Sequence, residues 1–262
     1  MPLPMRILVK GPSTVLLTSM MGGPRSDLGF PRVIEQQLLA KGRSAQVRNG
    51  AVGALPTHDM FNTWDDEILA WSPDVVILCP GHMDMIHIIL PRWLERGANS
   101  FNRRPGRVRH YRRLFLRLMA RGVLLVQKRI DRPDRQLKKR TLRRVIRDTT
   151  GYIEMTQKVG SPLILLMGTH PPAESKVKWY GGIRDRQRRT EDALRSLAAT
   201  HEQANVRFVE IIDLMEKFDP GDPEHLWPDG IHFSPEFHRA IGEKFADIVE
   251  AWATTQPHLA QP

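Results

Sequence analysis

Two kinds of hydrophobic pattern alternate along the chain. Short strand-like runs fall at Met5 to Lys10, Ala45 to Arg48, Val75 to Cys79, Pro162 to Met167 and Val206 to Ile212. Those at Val75 to Cys79 and Leu163 to Met167 are apolar throughout, the mark of strands covered on both faces. Between the runs, apolar residues return at helical spacing. Asp27 to Lys41 carries Leu28, Val33, Ile34, Leu38 and Leu39, and Gly42 is its stop. His58 to Trp71, Arg184 to His201 and Glu236 to Trp252 are further predicted helices, and Asp213 to Pro228 reads as a loop. Ser72-Pro73-Asp74 breaks the chain before the third strand. Strands alternating with helices from end to end predict an α/β fold with a mainly parallel sheet.

One segment interrupts this rhythm. Between Arg107 and Ala120, the residues Val108, Tyr111, Leu114, Phe115, Leu118 and Met119 form a helical stripe, with Arg109, Arg112, Arg113 and Arg117 mostly on other faces. Leu137 to Ile153 repeats the pattern, combining Leu142, Val145, Ile146 and Ile153 with Lys138, Lys139, Arg140, Arg143, Arg144 and Arg147. Both helices are expected to bury their apolar stripes on the body or on each other and to leave arginines in solvent. Residues 101–150 hold 18 Lys/Arg against 3 Asp/Glu, leaving 21 of the 39 basic and 26 of the 29 acidic residues elsewhere. The net charge of +10 thus belongs to this segment, and its one-sidedness points to an anionic partner.

The chain reads as one domain, residues 1–262, with 101–150 as a basic helical insertion acting as lid or docking element. No apolar run is long enough to span a bilayer. The first apolar run lacks the flanks of a secretory signal, and Cys79 is the only cysteine, which rules out an internal disulfide. A cytoplasmic protein is the expectation.

Candidate chemistry lies at the two ends. The stretch Trp227-Pro228-Asp229-Gly230-Ile231-His232-Phe233-Ser234-Pro235 sets an acid and a histidine three residues apart. Such a carboxylate can hold an imidazole in one tautomer and stabilise it once protonated, as a base serving a serine requires. An ordinary Asp-Gly turn before a helix accounts for the same residues. Ser13, after Gly11-Pro12 at the first strand's end, is the best nucleophile candidate, although a helix N-cap is its plainer role. Asn49 to Ala54 is a loop of small residues that admits close approach to the backbone, or a simple tight turn. His82, Asp84 and His87 have spacings open to a metal. No second cysteine and no HExxH-type pattern supports one, so they read as pocket-lining polar residues. Neither metal nor cofactor is expected.

In order, these blocks resemble those of the SGNH (GDSL-type) hydrolases over nearly the whole chain outside the basic segment. The blocks are Gly11-Pro12-Ser13-Thr14, Phe30 through Gly42, Asn49 through Gly53, Pro73 through Asp84, and Trp227 through Ser234. The resemblance implies a flavodoxin-like three-layer sandwich with its site at the C-terminal ends of the strands. It also implies Ser13 as nucleophile, His232 as general base and acid, and Asp229 as orienter. The oxyanion hole would draw on the backbone N–H of Ser13 and of Gly53, with Ala54 as the alternative. Two positions depart from the family pattern. Pro12 stands where an aspartate usually supports the loop. Met83 stands where an asparagine donates to the oxyanion, and methionine cannot donate. The loss of one such donor typically costs about 10²–10³ in turnover, so either neighbouring His82 substitutes, or the enzyme is slow, or the scaffold has another task.

The implied activity is that of a serine esterase, thioesterase or acyltransferase working through an acyl-enzyme on Ser13. Its basic segment would suit an acidic acyl carrier protein or a phosphate-bearing thioester such as acyl-CoA. The alternative is a non-hydrolytic binding module whose arginine helices hold a protein, a membrane or nucleic-acid phosphates. Nucleic acid is the weaker partner, because few aromatics interleave for base stacking. Peripheral membrane contact through a basic amphipathic helix stays open.

Overall fold

Parallel strands β1 (Met5–Lys10), β2 (Ala45–Asn49), β3 (Val75–Leu78), β4 (Leu163–Met167) and β5 (Val206–Val209) form one sheet in the order β2-β1-β3-β4-β5. This computed structural model describes residues 3–16, 29–86, 89–91, 93–94, 107–130, 136–170, 173, 180, 182–218 and 223–259. Its helices are α1 (Phe30–Ala40), α2 (His82–Ile86), α3 (Arg107–Ile130), α4 (Gln136–Val159), α5 (Ile183–Thr200), α6 (Ile212–Phe218) and α7 (Pro235–Ala253). None among the described residues is long and apolar enough to cross a membrane.

Because successive strand side chains point to opposite faces, each strand feeds two separate cores. Met5, Ile7, Val9, Ile77 and Leu165 meet Phe30, Ile34 and Leu38 of α1 and Phe237, Ile241 and Phe245 of α7. On the other face, Leu8, Val76, Leu78, Ile164 and Leu166 pack with Tyr152 and Ile153 of α4 and Leu194 and Leu197 of α5. The result is the expected three-layer sandwich. Its strand order reverses at β1, which is flanked by β2 and β3, and the crevice at that switch point is where open α/β sheets bind ligands.

The pattern misled in four places. His58 to Trp71 is not a regular helix but a tight-turned stretch, Thr57–Thr63, followed by one wide turn at Asp65–Leu69. Met60, Trp64, Glu67 and Ile68 nevertheless face inward at helical spacing, so the buried face is the one the pattern marks although the pitch changes. Asp213 to Pro228 holds α6 and a short turn at Pro223–Leu226, and β5 stops at Val209. Helix α3 runs on past Ala120 to Ile130. It also reverses the expected orientation. Tyr111, Leu114, Phe115 and Leu118 face solvent, while Leu116, Ala120 and Val123 pack against Leu90 and Leu94. Val108 and the start of the first predicted helix, Asp27 and Leu28, lie outside the side chains or residues described. Helix α4 behaves as expected, burying Val145 and Ile153 and exposing Arg140, Arg143 and Arg147.

Close approach of α1 to α7 depends on a glycine. A Cβ on Gly242 would lie 2.5 Å from Val33 Cβ and 3.1 Å from the Phe30 carbonyl oxygen. Overpacking of this kind costs about 1–3 kcal/mol. Gly242→Ala is therefore expected to lower the unfolding free energy by about that amount, even though alanine is the better helix former, as urea denaturation would show. Unchanged or raised stability would mean that the two helices are not held this closely.

Candidate active site

The exit of β1 is built to display Ser13. A Cβ on Gly11 would meet Val15 Cγ2 at 2.6 Å and Cys79 Cβ at 2.7 Å, so only glycine lets this strand end pass so near the end of β3. Pro12 is the N-cap residue of a single tight turn, Ser13–Val15, so the cap position does not fall to the Ser13 hydroxyl. It instead meets His232 Nε2 at 2.8 Å. His232 Nδ1 lies 2.5 Å from Asp229 Oδ2, while Asp229 Oδ1 accepts from the N–H groups of Ile231 (3.0 Å) and His232 (2.8 Å). Both carboxylate oxygens are thus engaged, and the network assigns the imidazole the tautomer with its proton on Nδ1. Nε2 is left to accept from the serine.

The loop carrying Asp229 and His232 is held from both sides. Gly230 takes a left-handed φ of 82° and donates its N–H to the Trp227 carbonyl at 2.8 Å, closing the turn. Ser234 then caps α7, its hydroxyl accepting from the Phe237 N–H at 3.2 Å, with Pro235 in the first turn. Four residues on, His238 Nδ1 accepts the Phe30 N–H at 3.2 Å and ties the start of α1 to α7. Burial, reinforced by His232, pushes His238 down to about 3, so it serves this contact as a neutral ring.

Asp229 is held ionised. Burial resists its charge, yet hydrogen bonds from the His232 ring and from the His232 and Ile231 backbone outweigh that and bring its carboxyl to about 2.

The two loops named as oxyanion candidates lie beside Ser13's strand. Gly50 donates to the Val9 carbonyl at 2.8 Å and Val52 to that of Gly11 at 3.0 Å, while Asn49 Oδ1 accepts from Ala51 at 3.0 Å. Gly53 is exposed, and Ala54 is half-buried with a φ of 56°, a conformation uncommon for a residue with a Cβ. Ala54 packs against Met83, Ile86 and Ile183, so Met83 is the floor of a small apolar cluster and not a polar lining residue. His82 stands one position earlier in α2, its ring stacked on His170 at 4.6 Å between centroids. Burial first, then His170 and His232, hold His82 well below its usual range, so it is neutral. Its Nε2 is buried with no hydrogen-bond partner among the described residues.

Several supporting groups escaped the sequence reading. Thr57 donates its N–H (2.9 Å) and its hydroxyl (2.8 Å) to Asp84 Oδ2 and accepts from the Gly81 N–H at 2.8 Å, locking the loop before α2. With Asp84 so engaged and His87 outside the described residues, no group of three or more metal-ligating side chains occurs among those described. The Trp227 indole donates to His170 Nδ1 at 3.0 Å, beneath the loop that carries His232. Lys10, the last residue of β1, is buried and forms an ion pair with Glu67 and a hydrogen bond with Thr63. Burial lowers the Lys10 pKa despite Glu67. A charged residue closing an apolar strand was the available signal, because its alternation with Leu8 directs it inward.

Comparison with known proteins gives the class. The model of the GDSL-like lipase/acylhydrolase family matches residues 17–240, and the chain belongs to that family. The matched span takes in Asp229 and His232 and begins just after Ser13. Among solved structures, a lipase/acylhydrolase from Enterococcus faecalis is 14% identical, with a TM-score of 0.60 over 95% of this chain and 96% of that one. The acetyl xylan esterase AlAXEase is 15% identical, with a TM-score of 0.57 over 94% and 100%. A psychrotrophic esterase, EstA, from Pseudoalteromonas sp., crystallised inhibited by monoethylphosphonate, is 11% identical, with a TM-score of 0.51 over 95% and 99%. At these identities the structures establish the fold, and family membership supports a hydrolase. No curated protein matches by sequence.

The lowered carboxyl of Asp229 has a definite pH signature. A folded-state value of about 2 against an ordinary 3.8 means that ionisation of Asp229 stabilises the fold above 3.8 and that this share is lost as the pH falls through about 2. The stability advantage of the native protein over Asp229→Asn is thus expected to shrink as the pH falls from 3.8 towards about 2 in urea titrations. An advantage that does not change with acidification would contradict the hydrogen-bonded, ionised aspartate.

Proposed function

We propose that the protein is a serine-dependent acyl-ester hydrolase that works through an acyl-enzyme on Ser13. The observation that carries this reading is the 2.8 Å contact of Ser13 Oγ with His232 Nε2, backed by Asp229 at 2.5 Å. Serine is a weak nucleophile without an adjacent base. As Ser13 Oγ bonds to the acyl carbon, its proton passes to His232 Nε2, and ionised Asp229 stabilises the imidazolium. When the tetrahedral intermediate collapses, the ester C–O bond breaks and His232 returns the proton to the leaving alkoxide. A water, deprotonated by the same imidazole, then releases the acid and restores Ser13. A thioester substrate, or transfer to another acceptor, would use the same acyl-enzyme.

The negative oxygen of the intermediate needs donors. The backbone N–H of Ser13 and that of Gly53 or Ala54 supply part of them. His82 takes the place of the asparagine that this chain lacks at Met83. Its neutrality, its proximity to His232 and its unpartnered Nε2 support that role. A neutral ring carries one N–H to donate.

Turnover of a short-chain p-nitrophenyl ester tests the assignments. Ser13→Ala and His232→Ala are each expected to lower kcat by at least about 10³-fold with the fold intact by circular dichroism. His82→Ala is expected to lose about 10²–10³ in kcat with little change in KM, and His82→Asn, which keeps a donor, to lose less. Full activity of Ser13→Ala would end the acyl-enzyme reading. Full activity of His82→Ala would leave the oxyanion to the backbone alone.

A further inference from the structure

Helix α3 turns an apolar face to water. Tyr111, Leu114, Phe115, Leu118, Leu125 and Val126 are between 48% and 68% exposed. At 3.6 residues per turn they share a single arc about 120° wide. Arg112 on one border and Arg117 and Arg121 on the other are exposed too. The helix carries eight Lys/Arg and no Asp/Glu over its 24 residues. Its opposite face is anchored: Leu116, Ala120 and Val123 pack against Leu90 and Leu94, and Gln127 Nε2 donates to the Ile86 carbonyl at 2.9 Å. The bare stripe is therefore not the face by which α3 meets the described body of the chain.

We propose that α3 is an interfacial helix that seats the protein on an anionic lipid bilayer. A continuous stripe of leucine and aromatic side chains bordered by arginines matches both layers of a membrane surface. The stripe enters the acyl boundary, and the guanidinium groups pair with headgroup phosphates. A second copy fits poorly, because pairing two such faces would bring two helices of eight Lys/Arg and no Asp/Glu together. Nucleic acid would leave the leucines and Phe115 without an apolar counterpart. Gln127 hydrogen-bonds the end of α2, the helix that carries His82 and Met83, so the docking helix is coupled to one wall of the candidate site. Resting on the acyl-hydrolase reading, this makes acyl esters lodged in or at a membrane the substrate class.

The test is co-sedimentation of the whole protein with vesicles of phosphatidylcholine alone and of equal parts phosphatidylcholine and phosphatidylglycerol. Binding to the mixed vesicles is expected to exceed that to the neutral ones by about tenfold or more, and to fall at least as far in L114S/F115S/L118S. R112Q/R121Q is expected to narrow the preference for anionic lipid. Hydrolysis of a water-soluble short ester is expected to be unchanged in the triple serine variant. The proposal is overturned if the protein ignores both vesicle types, or if the triple variant binds the mixed vesicles as well as the native chain does. It is overturned equally if sedimentation velocity shows a dimer that the serine substitutions dissolve. Vesicle binding by a native protein that cleaves no short ester would leave the docking helix standing and remove the acyl-hydrolase reading.

Discussion

The hydrogen bond between Ser13 and His232 joins residues 219 positions apart, and much of the fold can be understood as the means of keeping that span closed. Neither group alone could carry the proposed chemistry. The serine has no base in its own turn, and the imidazole needs a partner on each nitrogen to present the correct one. Their meeting depends on two tight contacts. Gly11 lets the end of β1 pass against Cys79 of the neighbouring strand end. Gly242 lets α7, which follows the His232 loop, lie close on α1. The Phe30–His238 hydrogen bond fixes the depth at which those helices engage. Packing density accordingly acts here as a positioning force as much as a stabilising one.

The sheet was legible because it is written in local patterns, and the three site residues because the order of short blocks resembles that of a family. Fully apolar runs of four to six residues mark strands buried on both faces, and those strands formed. The spacing of Asp229 and His232 fitted an Asp-Gly turn equally well, and Ser13 was singled out by its place at the first strand's end, so the family resemblance had to decide both. What could not be read depends on contacts remote in sequence. The pitch change between Thr57 and Leu69 and the pairing of Glu67 with Lys10, 57 residues away, are not encoded in local periodicity. Helix α3 misled for a related reason. Its most hydrophobic stripe is the one left outside, whereas the body is met by the weaker stripe of Leu116, Ala120 and Val123 with Gln127. Periodicity identifies a face without saying what will cover it.

The departures at Pro12 and Met83 take on different weights once placed in three dimensions. Pro12 leaves the turn at Ser13 intact, with Val15 donating to the Pro12 carbonyl at 3.1 Å and Leu16 to that of Ser13 at 2.9 Å. Met83 completes an apolar cluster with Ile86 and Ile183, so the side of the crevice that would carry a donor is hydrophobic. Beside it, His82, His170 and Trp227 form a stacked group of rings that reaches beneath the His232 loop.

The central claim, that Ser13 is made nucleophilic by His232, is tested most directly by reaction with a fluorophosphonate ester followed by intact-mass and peptide mass spectrometry. The account predicts one adduct, on Ser13, whose formation slows by orders of magnitude when His232 is replaced by alanine. Well-folded protein that takes up no phosphonate, or that carries it on another residue, would contradict it.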